Sequence, residues 1–476
     1  MSPASTMADP QSMPTYERLR ASIHIHSTYS TGAESLQSIA ELAHEHGVDV
    51  LVVTDDDLLE VSYGLAPWRR LLRYTESDRS LLGEDTLEEY LEEVRRLDAS
   101  FEDLIVLDGI ESAPYYTWDV DWQARRWTVR GWNRHLLAVG LDDAGAYRAL
   151  PILGGEGEWL PQDGGSILRM LWPLLGLFYA VRLSRRMHGG RVRLIICVAC
   201  LIFLVDGALK KFRTPRFTAY ENSGVQPYQD WIDAVAAAGG LSYWAHPEAA
   251  STIPPRSIAG VAQVRNESQG HAEDLVDTRH YTGFAALYGD TITATEPGRE
   301  WDQTLISYLR GDRARPAWGM GEIDFHRNEP GGRLHDIQTV LLVDQRTRRG
   351  VLEALSRGRG YAVRGGDEAL SLRRWRVRTD AGEAVSGQLL ASSGESSKVM
   401  VTIDKENGLE ERVDLRLIRG DTTGRVEVVA QISGNTPFQV EHVEAEGPAV
   451  GCYYRLLVRS GTSVLSSNPI FVRGDG

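Results

Sequence analysis

Short runs of apolar residues, each bounded by polar or acidic residues, recur along the first 365 residues of the chain. Their length and their flanking polar groups are typical of buried strands. Helical periodicity in the segments between them, as in the one that starts near Tyr228, predicts an α/β arrangement. The predicted strand runs are 21–26, 50–53, 104–107, the residues that follow His135, the residues that end at His246, and MGEIDFH around Asp324.

From residue 366 onward the pattern changes to short segments in which apolar and polar residues alternate, separated by Gly, Asp, Asn or Ser. Seven such segments predict seven short strands and therefore a C-terminal β-sandwich over 366–476. The stretches TDAGEAVSG and SGESS between them have turn chemistry. They offer no catalytic constellation, so we expect a structural or interaction module here.

Residues 151–226 differ from both regions and have the pattern of an insertion. Two stretches of 12 uncharged residues, 170–181 and 194–205, are joined by RLSRRMHGGRVR and followed by KKFR. They predict an apolar helical hairpin. Each stretch is shorter than the roughly 20 residues that span a bilayer, although Arg169, Arg182 and Lys210 could lengthen both by snorkelling.

We expect this hairpin, residues 167–209, to insert into a membrane or to lie on one, because a soluble core rarely buries two such runs between so many arginines. Core helices are the alternative. The N-terminal sequence has no apolar core of a secretory signal. A hairpin on the inner leaflet, with its arginines on anionic headgroups, would leave the catalytic part of the chain cytoplasmic. Without membrane contact, we expect a cytoplasmic protein.

Length and charge narrow the class of protein. A chain of 476 residues predicts two or three domains. Its net charge of −15 disfavours nonspecific binding to nucleic acid. Acidic residues are concentrated in 76–102, which we interpret as an exposed amphipathic helix. Only three cysteines occur, which excludes a disulfide framework, and the apolar surroundings of Cys197 and Cys200 indicate packing residues.

Histidines and carboxylates stand where the predicted strands end. His24 and His26 are two residues apart, and in an extended strand such side chains point to the same face, where both can bind one cation. We predict a metal site with the donors His24, His26, Asp56, Glu111, His135, His246, Asp324 and His326.

These motifs resemble the PHP (polymerase and histidinol phosphatase) family of metal-dependent hydrolases. The resemblance is carried by HIHSTYSTG, VTDDD, GIE, AHP and IDFH over roughly residues 20–365. The stretches YQDWIDAVAAAGGLSYWAHPE, RGRGYAVRGG and SNPIFV are most similar to the carbaryl-hydrolase-like branch, which carries an added β domain.

The resemblance implies a distorted (β/α)7-type, TIM-like PHP barrel. Its two parts would be residues 20–150 and 227–365, with 1–19 as an N-terminal tail, 151–226 as the insertion and 366–476 as the sandwich.

Two positions depart from the family pattern. The family usually has a histidine where Asp56 stands, and an Asp or His near Thr31 or Gly32. Both missing groups would serve one metal position together with His326, so we expect two divalent ions instead of three. A carboxylate at Asp56 favours Mn²⁺, Fe²⁺ or Mg²⁺ over Zn²⁺, although Zn²⁺ stays open.

The resemblance also implies how the ligands are shared. One ion would be held by His24, His26, Glu111 and Asp324, and the other by Glu111, His135 and His246. Two cations about 3.5 to 4 Å apart lower the pKa of a water and clamp the attacked group. We assign the catalytic role to Glu111, Asp324 and His246.

Asp55 is expected to orient a metal ligand without binding metal itself. Arg134 and Arg327, each next to a proposed ligand, could hold a phosphate or could be ordinary surface arginines.

Other candidate residues have simpler interpretations. His44 and His46 lie on a predicted helix, where residues two apart face different directions, so we expect surface residues. We predict that His188, His271, His280, His335 and His442 are not ligands. The tryptophans Trp118, Trp122, Trp127 and Trp132 could line a substrate cleft or form a covering loop.

The sequence therefore predicts a metal-dependent hydrolase, with a phosphoesterase acting on a small phosphorylated substrate as the leading function. The branch resemblance keeps a carboxylester, carbamate or amide hydrolase open. A membrane-tethered, noncatalytic metal-binding or regulatory module is the third alternative, because of the departures at Asp56 and Thr31.

Overall fold

The computed structural model describes residues 16–64, 73–141, 143–153, 159–161, 171–183, 190–209, 213–215, 217–258, 262–289, 293–392, 396–444, 451–461 and 463–474. Most of the predicted tail, together with Arg169, Arg185, Arg186, His188 and Lys210, lies outside these residues.

The described residues before 366 contain seventeen strands. They are β1 Glu17–Ile25, β2 Val50–Val53, β3 Glu60–Gly64, β4 Arg73–Ser77, β5 Ile105–Glu111, β6 Thr117–Asp121, β7 Arg126–Arg130, β8 Leu136–Val139, β9 Trp159–Pro161, β10 Arg213–Pro215, β11 Leu241–Trp244, β12 Ser251–Ile258, β13 Ala262–Ser268, β14 Gly283–Leu287, β15 Trp318–Gly321, β16 Ile337–Val343 and β17 Gly360–Arg364.

Nine α-helices are described over the same part of the chain. They are α1 Leu36–Glu45, α2 Leu87–Ser100, α3 Ala144–Arg148, α4 Leu171–Leu183, α5 Gly190–Leu209, α6 Gln226–Ala237, α7 Asp274–Asp277, α8 Glu300–Leu309 and α9 Arg348–Arg357. All six predicted strand runs contain or directly adjoin a strand, and the helix expected near Tyr228 is α6.

The main sheet buries both of its faces, as continuous apolar strands require. In β2, Leu51 and Val53 pack with the helices on one side, whereas Val50 and Val52 face a second apolar cluster on the other. That second cluster takes alternate residues from neighbouring strands and is joined by Val351 of α9. The architecture is therefore mixed α/β, as expected.

Strand pairing does not form the closed barrel that we predicted. Among the described residues the strands follow an open path, in the order β15-β14-β11-β8-β5-β2-β1-β16-β17. The residues after β15 nevertheless reach β1 through single hydrogen bonds, because Ile323 N donates to Ile23 O (3.1 Å) and Phe325 N donates to His24 O (2.9 Å). Irregular backbone, not a regular strand pair, thus joins the two sides at this rim.

The acidic stretch 76–102 is only partly helical, so our interpretation of it as one helix was wrong. It begins in β4, whose five residues are all exposed, and α2 starts at Leu87. The helix buries Leu87, Tyr90, Leu91, Val94 and Leu97. Five buried positions on one face explain why the helix begins there, since the preceding residues have no such face.

A separate four-stranded sheet, in the order β12-β13-β7-β6, contains two of the predicted tryptophans, Trp118 and Trp127, whereas Trp122 and Trp132 lie in turns beside it. Trp127 packs on Tyr63 with ring centroids 4.4 Å apart, and Trp118 packs at the edge of the same Tyr63 ring at 5.2 Å. These tryptophans form a small core of their own. This arrangement agrees better with the covering-element interpretation than with a cleft lining.

The described residues of the C-terminal region contain ten strands, where we predicted seven. They are β18 Leu370–Thr379, β19 Gly382–Ala384, β20 Leu389–Ser392, β21 Ser397–Lys405, β22 Arg412–Asp421, β23 Val426–Asn435, β24 Phe438–Glu444, β25 Cys452–Ser460, β26 Ser463–Ser467 and β27 Ile470–Gly474. The seven predicted strands are all present. The stretch TDAGEAVSG, predicted as a turn, contains β19, since a strand of three residues gives too little alternation to detect.

Two sheets of the C-terminal region enclose an apolar core. The sheet β19-β18-β21-β24 contributes Trp375 and Val401, and the strands β22 and β25 contribute Leu415 and Leu456. The second sheet continues into the main sheet, because β17 pairs with β26.

A buried ion pair also connects the two parts of the chain. Arg455 on β25 donates from Nε and one Nη to the two oxygens of Asp302 on α8, at 2.7 and 2.8 Å, and both side chains are fully buried.

The predicted hairpin consists of α4 and α5, which contact each other along their length. Gly176 lets them approach closely, since a Cβ at that position would lie 2.6 Å from Cys200 Sγ. Cys200 is buried and Cys197 is partly buried, as packing residues should be. In the part of the chain that the structure describes, no helix has the length and hydropathy needed to cross a membrane.

Candidate metal centre

Six strands bring the predicted donors to one rim. Strands β1, β2 and β5 run parallel, and so do β11, β14 and β15, so the residues at their carboxyl ends lie at the same edge. Strand β8 is antiparallel to both β5 and β11. His135 precedes β8, and this reversed direction explains why a residue at the start of a strand joins residues at the ends of the others.

His24 and His26 meet by a different route from the one predicted. We expected an extended strand, but His24 has φ of 71°, and the pairing of β1 with β2 shifts register between Ile23 and Ile25. The two rings still lie 5.0 Å apart, centroid to centroid. His246 and Asp324 also have positive φ, at 25° and 51°. Non-glycine residues in this region are strained, and such strain is concentrated at functional sites.

Glu111 stands at the centre of the cluster. Its Oε1 lies 3.1 Å from His24 Nε2, 3.4 Å from His135 Nδ1 and 3.5 Å from His246 Nε2. Its Oε2 lies 3.3 Å from His26 Nε2, on the side where Asp56 Oδ2 lies 3.2 Å from His26 Nδ1. The two carboxylate oxygens therefore face two different sets of donors.

Asp324 approaches from the other side of the same histidines. Its Oδ1 lies 3.5 Å from both His24 Nε2 and His26 Nε2, and 3.2 Å from His326 Nε2. The ring of His326 stacks on that of His26 at 4.4 Å between centroids. His326 is the most exposed member of the cluster, and its side chain lies at the opening of the rim.

The donor set fits a divalent metal ion. His24 Nε2, His26 Nε2 and Glu111 Oε1 are buried, yet they make no well-formed hydrogen bond among the described residues. Buried polar atoms without partners are costly, and a bound cation would satisfy them. Three groups have donor atoms close enough to hold one ion: His24, His26 and Asp324; His24, Glu111 and His246; and His26, Asp56 and Glu111.

The charges in the cluster perturb its pKa values strongly. Burial alone would lower the pKa of His24, but the carboxylates of Glu111, Asp324 and Glu322 raise it well above 6.5 overall. For Glu111, burial would raise the pKa, but His135 and His24 hold it well below its usual value. Without metal, the cluster therefore balances protonated histidines against ionised carboxylates.

The carboxylate of Asp55 lies behind the cluster, next to the loop that follows His26. This carboxylate is fully buried and accepts hydrogen bonds from Ser27 N (2.8 Å), Ser27 Oγ (2.8 Å) and Ser30 Oγ (2.6 Å). Ser30 Oγ in turn lies 3.2 Å from His26 Nδ1. Asp55 therefore orients His26 through Ser30 and holds the loop that follows His26.

The sequence reasoning missed Glu322 and Tyr288. Glu322 is fully buried, its Oε1 lies 3.1 Å from His24 Nδ1, and it accepts the backbone N–H of His246 (2.9 Å). The Tyr288 hydroxyl donates to Asp324 Oδ2 (3.2 Å). Both residues directly follow a buried strand, β15 and β14, and that signal could have identified them.

Asp57 was recognised in the acidic run but was given no role. It is buried, it accepts the backbone N–H of Ala113 (2.6 Å), and burial raises its pKa to about 8. The contact fixes the backbone two residues beyond Glu111, so Asp57 is a support of the site and not one of the grouped donors.

Two predicted ligands, His135 and His326, do not belong to any of the three donor groups, and neither do the predicted arginines Arg134 and Arg327. His135 Nδ1 lies 3.0 Å from Ser112 O and its Nε2 lies 2.9 Å from Trp132 O, so backbone carbonyls occupy both ring nitrogens. Arg134 pairs with Asp274 (3.5 Å), while Arg327 is exposed. A phosphate-binding role for either arginine stays a prediction.

The remaining histidines that the structure describes lie outside the three donor groups. His44 and His46 are exposed at the end of α1, as predicted. His271 and His335 are buried, although their polar surroundings in the sequence gave no indication of it.

Comparison with known proteins finds solved structures of low similarity to this chain. No protein-family model matches the chain, and no curated protein matches it. A solved two-domain protein from Bacteroides vulgatus that contains a predicted PHP-like metal-dependent phosphoesterase is 11% identical, with a TM-score of 0.36 over 96% of this chain and 95% of the other. A proposed metal-dependent phosphoesterase from Bifidobacterium adolescentis is 16% identical, with a TM-score of 0.27 over 64% and 87% of the two chains. At these TM-scores neither likeness establishes the fold or the function of this chain.

Proposed function

We propose that this chain is a metal-dependent hydrolase that holds two divalent cations on either side of Glu111 and cleaves a small phosphoester. The observation that carries the proposal is the convergence of histidine and carboxylate side chains from six strands around Glu111, at whose centre His24 Nε2, His26 Nε2 and Glu111 Oε1 are buried and make no well-formed hydrogen bond. A structural role alone would not require so many ionisable groups without hydrogen bonds in one place.

The way the donors are shared favours two ions. A ring nitrogen has one lone pair and binds one cation, and Nδ1 of His24 is already turned to Glu322. The group His24–Glu111–His246 and the group His26–Asp56–Glu111 use each histidine once and have only Glu111 in common. A carboxylate can bridge two cations through its two oxygens. In this assignment His24 and His26 serve different ions, unlike the partition implied by the family resemblance.

Asp56 affects which metal the second group would prefer. That group has one imidazole and two carboxylates, and oxygen-rich sets favour Mn²⁺, Fe²⁺ or Mg²⁺ over Zn²⁺. The hydroxyl of Thr31 donates to Asp56 Oδ2 (3.0 Å), which fixes the orientation of this carboxylate. Thr31 thus positions Asp56 in a place where the family usually has a ligand.

Divalent cations bound here would act as Lewis acids on a phosphoryl oxygen and would lower the pKa of a water. The other tasks fall to side chains of this chain. The Tyr288 hydroxyl donates to Asp324 Oδ2, and its ring lies 5.3 Å from that of His246, so Tyr288 orients the Asp324 carboxylate beside His246. Asp55 and Glu322 hold His26 and His24 in place. We prefer a phosphoester substrate because the motifs resemble those of the PHP family. A carboxylester or a carbamate is the alternative substrate class.

The test combines metal content with turnover. We expect purified protein to contain about two equivalents of Mn²⁺ or Fe²⁺ per chain and to hydrolyse p-nitrophenyl phosphate or bis(p-nitrophenyl) phosphate faster than p-nitrophenyl acetate. The His24→Ala variant should lose turnover together with metal. His44→Ala is the matched control, because His44 is exposed and pairs with Asp103 at the surface.

Each alternative function predicts a different result in this test. Faster cleavage of the acetate would replace the phosphoester proposal by a carboxylester hydrolase. Bound metal without any turnover, with His24→Ala melting at a lower temperature, would show a noncatalytic metal-binding protein. A metal-free, inert wild type would refute the hydrolase proposal altogether.

A further inference from the structure

The hairpin formed by α4 and α5 exposes large apolar side chains on both helices. Leu175 is 66% exposed and Ile195 is 67% exposed, and the other exposed members are Leu174, Phe178, Tyr179, Leu194, Ile196, Val198 and Leu201. A helix that is apolar on every side is normally covered by protein or lipid. Contiguous apolar surface of this kind marks an interaction site.

The charge of the same stretch is opposite to that of the rest of the chain. Ten of the 51 Lys and Arg residues, but only one of the 66 Asp and Glu residues, fall within 166–216. This stretch therefore carries a net charge of +9, whereas the remaining residues together carry −24. Apolar side chains flanked by basic residues match a surface that offers hydrocarbon beneath negative charge.

We propose that the hairpin docks this protein on the surface of an anionic lipid bilayer, with the exposed side chains of α4 and α5 in the lipid. A nucleic acid would satisfy the basic residues but not the apolar ones. A second copy of the chain could cover apolar surface, but it would bring together two stretches of the same positive charge. Lipid headgroups with buried acyl chains satisfy both features at once.

Residues near the end of the insertion are hydrogen-bonded to the segment that follows Glu111. Tyr115, four residues after Glu111, donates its hydroxyl to Thr218 O (2.9 Å), and Trp118 N donates to Ala219 O (2.7 Å). Thr218 and Ala219 lie within the insertion, just after its last basic residue, Arg216. The same stretch that carries the hairpin is therefore hydrogen-bonded to the segment that follows Glu111.

Sedimentation of the full-length protein with vesicles tests the proposal. The vesicles are phosphatidylcholine alone, and phosphatidylcholine with phosphatidylserine. We expect wild type to sediment with the anionic vesicles only, and less so at high salt. The double variant Leu175→Glu/Ile195→Glu should bind about tenfold more weakly or worse, since each change replaces an aliphatic side chain that would enter the lipid with a charged one.

The matched control is Trp122→Glu, which places the same charge at a residue that is 63% exposed but lies outside the hairpin. It should bind as wild type does, and so should His24→Ala, because lipid binding does not depend on hydrolysis. Equal sedimentation of wild type and the double variant would overturn the proposal. So would a wild-type dimer in light scattering that the double variant abolishes without any vesicle binding. Equal binding to both kinds of vesicle would refute the requirement for anionic lipid.

Discussion

At the scale of single residues, Glu322 connects His24 and His246, two of the three histidines that face Glu111 Oε1. Its carboxylate lies 3.1 Å from His24 Nδ1 and also accepts the backbone N–H of His246. Carboxylates behind a metal-binding histidine typically account for a 10- to 100-fold difference in metal affinity. We expect Glu322→Gln to weaken Mn²⁺ binding by about this factor in calorimetric titration. The amide oxygen can still accept from His246, so the fold should be retained.

Glu329→Gln provides the comparison for that experiment, because Glu329 is an exposed carboxylate just beyond the same rim segment. Its affinity for Mn²⁺ should equal that of wild type. If Glu322→Gln also bound Mn²⁺ normally, Glu322 would be only a packing residue.

The histidine pKa values predict a second residue-level effect. Against the opposing effect of burial, Glu111 and Asp324 raise the pKa of His24, and Asp56 raises that of His26, in both cases well above 6.5. A raised histidine pKa stabilises the fold below the unfolded pKa of about 6.5, and this contribution is lost as pH rises through the folded pKa. Metal-free protein should therefore melt at lower temperature as pH increases from about 6.5, measured by calorimetry.

Metal binding should depend on the protonation of the same two histidines, His24 and His26. The metal needs neutral imidazole, so binding should release protons and become tighter with increasing pH. Titrations in two buffers of different ionisation enthalpy count those protons. Metal binding to wild type without any proton release near neutral pH would contradict this assignment.

At the scale of elements, the ends of β1, β11 and β15 carry strained backbone at donor residues. Asp324 has φ of 51°, which glycine adopts without strain and alanine does not. We therefore expect metal-free Asp324→Gly to be more stable than metal-free Asp324→Ala, by about 1 kcal/mol in urea unfolding. Both variants remove the same carboxylate, so the difference reports the backbone alone. Equal stability would mean that the strain relaxes when Asp324 is absent.

The strands and their polar ends were predictable because short apolar runs are a local property of the sequence. The run 50–53 is a strand, and Asp55 to Asp57 follow it at the rim. The positive φ of His24 was not predictable, since it depends on hydrogen bonds to the distant residues Ile323 and Phe325. The register shift beside it depends on the same contacts. Such pairing between distant segments leaves no periodicity in either one.

Residues of the donor-bearing rim that depend on contacts between distant segments were likewise not predictable from the sequence. Glu322 and Tyr288 follow buried strands, as the predicted ligands do, but no spacing distinguishes them from ordinary polar residues at strand ends. Their importance comes from contacts with His24 and Asp324, which lie far away in the sequence. The burial of His271 is equally a product of packing, because only the fold brings it against the ring of Trp244 (5.3 Å).

At the scale of the whole molecule, the pair between Asp302 and Arg455 connects α8 with the C-terminal strands. Removing one member of a buried pair leaves an unpaired charge and costs about 3–5 kcal/mol. We expect Asp302→Ala to lose this much stability in urea unfolding, and Asp302→Leu/Arg455→Met to recover most of it. The exposed pair of Asp119 with Arg130 is the control, and Asp119→Ala should cost less than about 1 kcal/mol. A small effect of Asp302→Ala would mean that water reaches Arg455.

The short pairing of β9 with β10 has a consequence for how this protein could arise and diversify. Trp159 lies opposite Pro215, so the two ends of the segment between them lie side by side. A segment attached in this way can be gained or lost in one genetic event without shifting the register of any donor-bearing strand. A lipid-bound and a freely diffusing form of the protein would then differ by this one segment. Selection would change where in the cell the protein is found without changing the residues of its metal centre.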